Sequence, residues 1–417
     1  MIATDQAAPA PDARPGPLNG VRVVDLTTFL SGPFCTQILA DLGAEIVKVE
    51  PFGGDSSRSI PPHFVGDDSA YYLGNNRSKR SIALDLKSPE GLRIARELIA
   101  RSDVVVENFR PGVCERLGLD VDALRAERPD LVWASISGFG QTGPWRDRPA
   151  YDMIVQALSG VMSLTGEVGR APVRAGVPIG DLVAGLYAAI GVLAGLAERG
   201  RGVAGGRTID VSMLDCQLAM LSYQAVYAMH SGTTPGPQGR AHDSIPTYRA
   251  FTAGDGRALV VTANTERMWA GLCQVLGLDH LVDEPRFADG GARLAHRDDL
   301  WQHLEKAFLA EDAATWVDRL VERRVPCALI KTVPEALDDA RETGRGMVLD
   351  LASEDGRRIS VLGNPLLLVG DEPAAPEFPP VLGEHSDELL TGLLGMEPAQ
   401  VARLHREGVV LGPDDRS

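Results

Sequence analysis

One aspartate in this chain has the setting a covalent catalyst needs. Asp181 lies in Val177-Pro-Ile-Gly-Asp-Leu-Val-Ala-Gly185, behind a glycine and ahead of a long apolar stretch. Gly180 allows a substrate to approach the backbone closely. A helix starting after Asp181 points amide N–H groups and the positive end of its dipole at the carboxylate. Such a carboxylate is expected to stay ionised and to serve as a nucleophile. Aspartate is also a favoured N-cap residue, and the local sequence leaves both roles open.

Other candidates are polar groups that could hold an anion. Asn76-Arg-Ser-Lys-Arg-Ser81 carries three cations within four residues, either a solvated basic turn or a phosphate contact. Lys87 ends the strand that this run begins, and Arg110 and Arg116 flank the next loop. Cations converging from neighbouring strand ends favour an anion site. Asn108-Phe-Arg-Pro-Gly112 follows an all-valine strand. Asn108 and Phe109 there either bond and stack on a ligand or form a turn with Phe109 in the core. Tyr151 and Asp152 follow a Gly/Pro-rich loop spanning 138–149, and His385 is a candidate base or a helix-start residue.

The whole-chain balance narrows the chemistry. A net charge of −16 repels nucleic acid and anionic membranes, so neither is an expected partner. An anionic substrate must therefore find a local cluster of Lys and Arg. The five cysteines form no CxxC pair and the eight histidines no HExxH, so neither a zinc site nor a disulfide framework is expected. No metal is expected. A reducing compartment follows, with cytoplasm as the default location. We find no run of about 18 apolar residues, and so expect no membrane span. No GxGxxG follows the first strand and no GxxxxGK[ST] occurs, which counts against a nicotinamide enzyme or a kinase.

The elements that must position these residues alternate. Strand signals at Val21–Leu26, Glu45–Glu50, Ser81–Leu86, Asp103–Glu107 and Leu131–Ile136 are separated by helical stretches, among them Phe34–Leu42, with Pro33 as its first position, and Leu182–Ala197. This rhythm predicts an α/β fold, a doubly wound parallel sheet with helices on both faces. Ligands then sit beyond strand carboxyl ends, here the loops after Leu26, Leu86 and Glu107. Residues 231–246 read as a linker, and about 247–330 as a hairpin-like then helical region forming a smaller α+β domain. The boundaries expected are a tail at 1–16, a large domain from 17–225 and 331–417, and a small domain with linkers at 226–330.

In order along the chain, Leu18–Leu26, Ser31-Gly-Pro33, Asp41–Pro51, Asn76–Ser81, Val106–Gly112, Ser137–Pro144, Tyr151-Asp152, Gly180-Asp181 and Leu382–His385 resemble class III CoA-transferases. The resemblance runs from about residue 17 to 410. It implies coenzyme A or acyl-CoA as substrate, a free carboxylic acid as acceptor, and an interlocked homodimer. Asp181 matches the family's catalytic aspartate. Leu30, Ser31, Leu84 to Lys87, Asn108, Phe109, Arg110, Arg116, and Pro149 to Tyr151 and Asp152 match its CoA-contact positions. Pro51 stands where formyl-CoA transferase has a CoA-contacting arginine, and the glycine-rich lid of the oxalate-using subgroup has no counterpart in 231–260. Oxalate is therefore disfavoured, and a small dicarboxylate such as succinate or glutarate is the expected acceptor, with Arg148 or Arg174 as its second carboxylate's partner. Two alternatives are a 2-methylacyl-CoA racemase, which needs a base where this chain has Tyr151, and a non-catalytic acyl-CoA-binding protein.

Overall fold

Uninterrupted Val and Ile runs make strands that are covered on both faces. In the computed structural model, which describes residues 15–202, 205–368 and 375–412, successive residues of the central strands enter opposite cores. Six strands lie parallel: β1 (Arg22–Asp25), β2 (Glu45–Glu50), β3 (Lys79–Leu84), β4 (Val104–Glu107), β5 (Val132–Ser137) and β6 (Thr208–Ser212). A short strand, Val410–Leu411, adds antiparallel to β3. Val23, Ile46 and Val104 face one core with Cys35 and Leu39 of helix α1 (Ser31–Asp41). Their neighbours Val24, Val47 and Val105 face the other, with Ile94 and Leu98 of α2 (Pro89–Ala100). The sheet is doubly wound. The expected tail at 1–16 lies outside the described residues, save 15 and 16.

The sheet order is Val410–Leu411, β3, β2, β1, β4, β5, β6. Winding runs outward from β1 through β2 to β3, then returns to the other side of β1 at β4. The loops after β1 and β4 therefore part around a crevice, the point where such sheets bind ligands.

Two helix starts differ from the sequence reading. Helix α1 begins at Ser31, not Pro33. The proline is third in the helix, where its missing N–H is one of the four without an intrahelical acceptor. Helix α4 (Ile179–Gly200) begins three residues earlier than expected and follows α3 (Asp152–Leu158). Its N-cap is Pro178, with no side-chain cap bond. Asp181 thus lies inside the first turn and does not cap the helix.

Helix α4 is the apolar element that bears on the expectation about membrane spans. Its 22 residues are long and apolar enough to cross a membrane by length and composition alone. In the fold its Val183, Ala184, Ala188, Ala189 and Val192 are core residues, while Leu186, Tyr187 and Ile190 are exposed.

The described residues form two units. The first draws on Met1–Val161, Ala175–Val226 and Thr343–Ser417 and holds the large sheet. The second draws on Met162–Arg174 and Tyr227–Glu342. Its antiparallel strands Arg249–Thr252 and Ala258–Val261, joined by Cys327–Leu329, pack with Trp269, Leu272, Phe308 and Trp316 of its helices.

Candidate active site

The crevice between β1 and β4 is closed at its base by one side chain. Asn108 Oδ1 accepts from Thr28 N at 2.9 Å, and its Nδ2 donates to Thr28 O at 2.8 Å and to Ser31 Oγ at 3.3 Å. Between them Phe29 takes a left-handed backbone, φ 63°, which costs a non-glycine residue of order 1 kcal/mol or more. Asp55 holds it there. Its Oδ1 accepts from Phe29 N at 3.0 Å and from Thr28 Oγ1 at 2.7 Å. Lys48, fully buried, pairs with Asp55 at 3.0 Å. Burial opposes the Asp55 charge, but Lys48 and these hydrogen bonds hold its carboxyl well below the usual range. Nothing in the local sequence marked Asp55.

This loop delivers Ser31 to Asp181. Gly185, one turn after Asp181, packs so closely on α1 that an added Cβ would stand 2.6 Å from Ser31 O. Gly180 is equally confined: its Cβ would meet Val155 Cγ2 at 2.8 Å and Gln217 Nε2 at 2.9 Å. Asp152, on α3, accepts from Gly180 N through Oδ1 at 2.8 Å and from Gln156 Nε2 through Oδ2 at 2.7 Å. Leu182 N bonds to Pro178 O. Two amides of the first turn are thus already engaged.

The electrostatics reverse the sequence expectation that Asp181 stays fully ionised. Burial pushes its carboxyl up to about 7, the charge of Asp152 adds to the rise, and a hydrogen bond with Ser31 only partly opposes it. Dipole stabilisation at a helix start, about 0.3–1 kcal/mol, is small beside such a shift, since one pKa unit is about 1.4 kcal/mol. Tyr71 belongs to the same group. Burial and the charges of Asp181, Asp152 and Asp55 push its phenol up to about 12. No motif in the sequence singled it out. Tyr151 is exposed, its ring edge-on to Phe29 at 6.1 Å.

The cations divide into two sets. Arg77 pairs with Asp41 at 2.8 Å, buried Lys79 with Asp25 at 3.0 Å, and Arg80 with Glu45 and Glu388. The 77–80 run is therefore consumed inside the fold, which corrects its reading as a phosphate contact or a solvated turn. Lys87, Arg110 and Arg116 are exposed. Among the described residues no ion pair occupies them. Arg116 and Arg146 both reach over Gly112, their guanidinium nitrogens 3.1 and 3.6 Å from the point where its Cβ would be.

Leu84 and Leu30 are buried, so at most their backbone faces a ligand. Phe109 packs against the core, which favours the turn reading of its loop. His385 ties β3 to the C-terminal segment, its Nδ1 accepting from Ser81 N at 3.2 Å. Arg148 stacks over Trp145 at 4.6 Å, and Arg174 belongs to the second unit. All five cysteines are free. Among the described residues no group of His, Cys, Asp and Glu could hold a metal.

Comparison with known proteins meets this geometry. Residues 18–386 match the profile of CoA-transferase family III. The succinate–glutarate CoA-transferase of Agrobacterium fabrum is 38% identical over 395 residues, 93% of this chain and 98% of that protein. An acetyl-CoA:oxalate CoA-transferase of Acetobacter aceti is 38% identical over 370 residues, 87% of this chain and 93% of that one. The crystal structure of a CAIB/BAIF family protein from Brucella suis matches with a TM-score of 0.80 at 34% identity, covering 91% of this chain and 100% of that one. Likeness of this extent accounts for the ordered motifs from Leu18 to His385, and we conclude that the chain belongs to CoA-transferase family III and moves coenzyme A from an acyl-CoA to a carboxylic acid.

Proposed function

We propose that Asp181 is the nucleophile of this transfer, with succinyl-CoA as donor and a small dicarboxylate as acceptor. The observation that carries the reading is the carboxyl of Asp181 near neutrality in the first turn of α4, behind a glycine packed tightly against α3 and Gln217. A carboxylate of raised pKa is a stronger nucleophile than an ordinary one once ionised. Attack on the thioester carbonyl joins an Asp181 oxygen to the acyl carbon, breaks the C–S bond and releases CoA thiolate. The thiolate attacks the Asp181 carbonyl of this mixed anhydride, giving an aspartyl-CoA thioester and freeing the donor acid. The acceptor carboxylate then attacks the thioester, and the same steps run in reverse.

In this reading CoA runs along Leu30 and Ser31, the turn from Leu84 to Lys87, Asn108 to Arg110, and Tyr151 and Asp152. Its phosphates meet Lys87, Arg110 and Arg116, supported by the exposure of these cations in a chain of net charge −16. Two copies would interlock, a reading supported by the exposed Leu186, Tyr187, Ile190, Met220, Tyr223 and Val226. Five free cysteines fit a cytoplasmic enzyme.

The relative from Agrobacterium fabrum bears the name of a glutarate enzyme, which supports a C4–C5 dicarboxylate. The Acetobacter aceti relative is named for oxalate, so a missing lid does not by itself separate these acids, and oxalate belongs in the panel. The test supplies succinyl-CoA with mono- and dicarboxylic acids and compares kcat/KM. Glutarate or a close C4–C5 relative is expected to lead. A clear lead for monocarboxylates refutes the acceptor. Asp181→Ala is expected to fold and to lose transfer; turnover surviving in it refutes the nucleophile.

A further inference from the structure

The segment that leads into α4 has no regular structure from Ala171 to Pro178, and Pro178 gives the helix no side-chain cap. Something else must fix where its first turn begins. Two side chains one turn apart on α3 do so. Gln156, fully buried, accepts from Ala175 N through Oε1 at 2.9 Å and donates through Nε2 to Asp152 Oδ2 at 2.7 Å. Asp152 in turn accepts from Gly180 N at 2.8 Å. The backbone is thus gripped at Ala175, inside the irregular stretch, and at Gly180, just beyond it and next to Asp181.

The grip has its own anchor. Ser159 Oγ reaches the Gln156 carbonyl at 3.2 Å and donates to Gln217 Oε1 at 2.8 Å. The Gln217 amide is buried and packs against Gly180. No atom of Gln156 has freedom to turn: an amide flip would put its N–H₂ against Ala175 N–H and its oxygen against Asp152, losing both bonds.

We propose that Gln156 is a positioning residue for the transfer, holding Asp152 and the Ala175–Gly180 backbone so that Asp181 meets the thioester in line. The proposal rests on Asp181 being the nucleophile. Misplacement of a reacting group by about 1 Å costs about 10²-fold in rate, while of the residues read as lining CoA Gln156 bonds only Asp152, and the cations read as meeting the phosphates, Lys87, Arg110 and Arg116, lie on other elements. The signature is therefore a loss in kcat with KM for acyl-CoA preserved.

The experiment compares Gln156→Leu and Gln156→Glu with the parent enzyme and with Asp181→Ala. Gln156→Leu removes both bonds and is expected to lower kcat by about 10- to 100-fold with KM for acyl-CoA within about twofold. Gln156→Glu keeps the size and the acceptor for Ala175 but faces Asp152 with an oxygen; it is expected to fold, to lose less in kcat, and to displace the kcat–pH profile from the parent's. A folded Gln156→Glu with the parent's kcat and pH profile overturns the proposal, as does a loss confined to KM in either variant. Turnover surviving in Asp181→Ala overturns the nucleophile instead. An inactive Asp181→Ala beside unimpaired Gln156 variants overturns only the positioning role.

Discussion

Replacing Asp152 with asparagine removes a negative charge from beside Asp181 while leaving an oxygen for the Gly180 amide. The Asp181 carboxyl sits at about 7 rather than 3.8, with burial as the first cause and the Asp152 charge as the second. Two unit charges about 4 Å apart interact by about 4 kcal/mol at an effective dielectric near 20, and a greater separation and partial exposure to water reduce that. A shift of about one pKa unit, or about 1.4 kcal/mol, is the working figure. The attacking species is the carboxylate, so activity rises with pH through the Asp181 pKa. Lowering that pKa moves the rising limb to lower pH. At pH 6 the ionised fraction grows from about a tenth to about a half, so kcat/KM there should gain up to about fivefold relative to its own plateau. The plateau itself should fall, because the new amide N–H₂ faces the N–H₂ of Gln156. The assay is kcat/KM for succinyl-CoA with a fixed acceptor from about pH 5 to 8.5. A limb that stays in place, or moves to higher pH, refutes the claim that Asp152 holds Asp181 near neutrality.

Charge reversal at Lys87 or Arg116 should raise the calorimetric Kd for CoA by roughly 10- to 100-fold, the loss of one charge-assisted contact; unchanged affinity in both variants would mean the phosphates bind elsewhere. Asp25→Ala leaves fully buried Lys79 without its 3.0 Å partner and should lower unfolding free energy by about 3–5 kcal/mol, read from urea denaturation. A loss under about 1 kcal/mol would show that Pro33 O and Asn76 suffice for that ammonium.

Much of the scaffold was legible because the central strands are runs of Val and Ile packed on both faces, and glycine and proline break the chain between them. Asp181 was legible as a candidate for the same local reasons. Its protonation was not, since Asp152 lies on another helix and only the fold brings the two together. Arg77, Lys79 and Arg80 misled for a similar reason: Asp25, Asp41 and Glu45 are 35 to 54 residues away, and a run of cations looks alike whether its partners are water, phosphate or its own core. Tyr71 and Asp55 carry no pattern that marks them. The start of α4 was read late because an Asp after Gly resembles a cap, whereas the cap's work is done by Asp152.

The Asn108 bridge at the crevice has a consequence for how such an enzyme can change. Its three bonds tie the turn after β1 to the turn after β4 without reaching outward, so the floor of the crevice is set by the scaffold alone. Asp181, the nucleophile we propose, likewise stands on a helix rooted in the core. Surface turns answer to neither, so a lineage can vary them while the crevice floor and the setting of Asp181 are inherited intact.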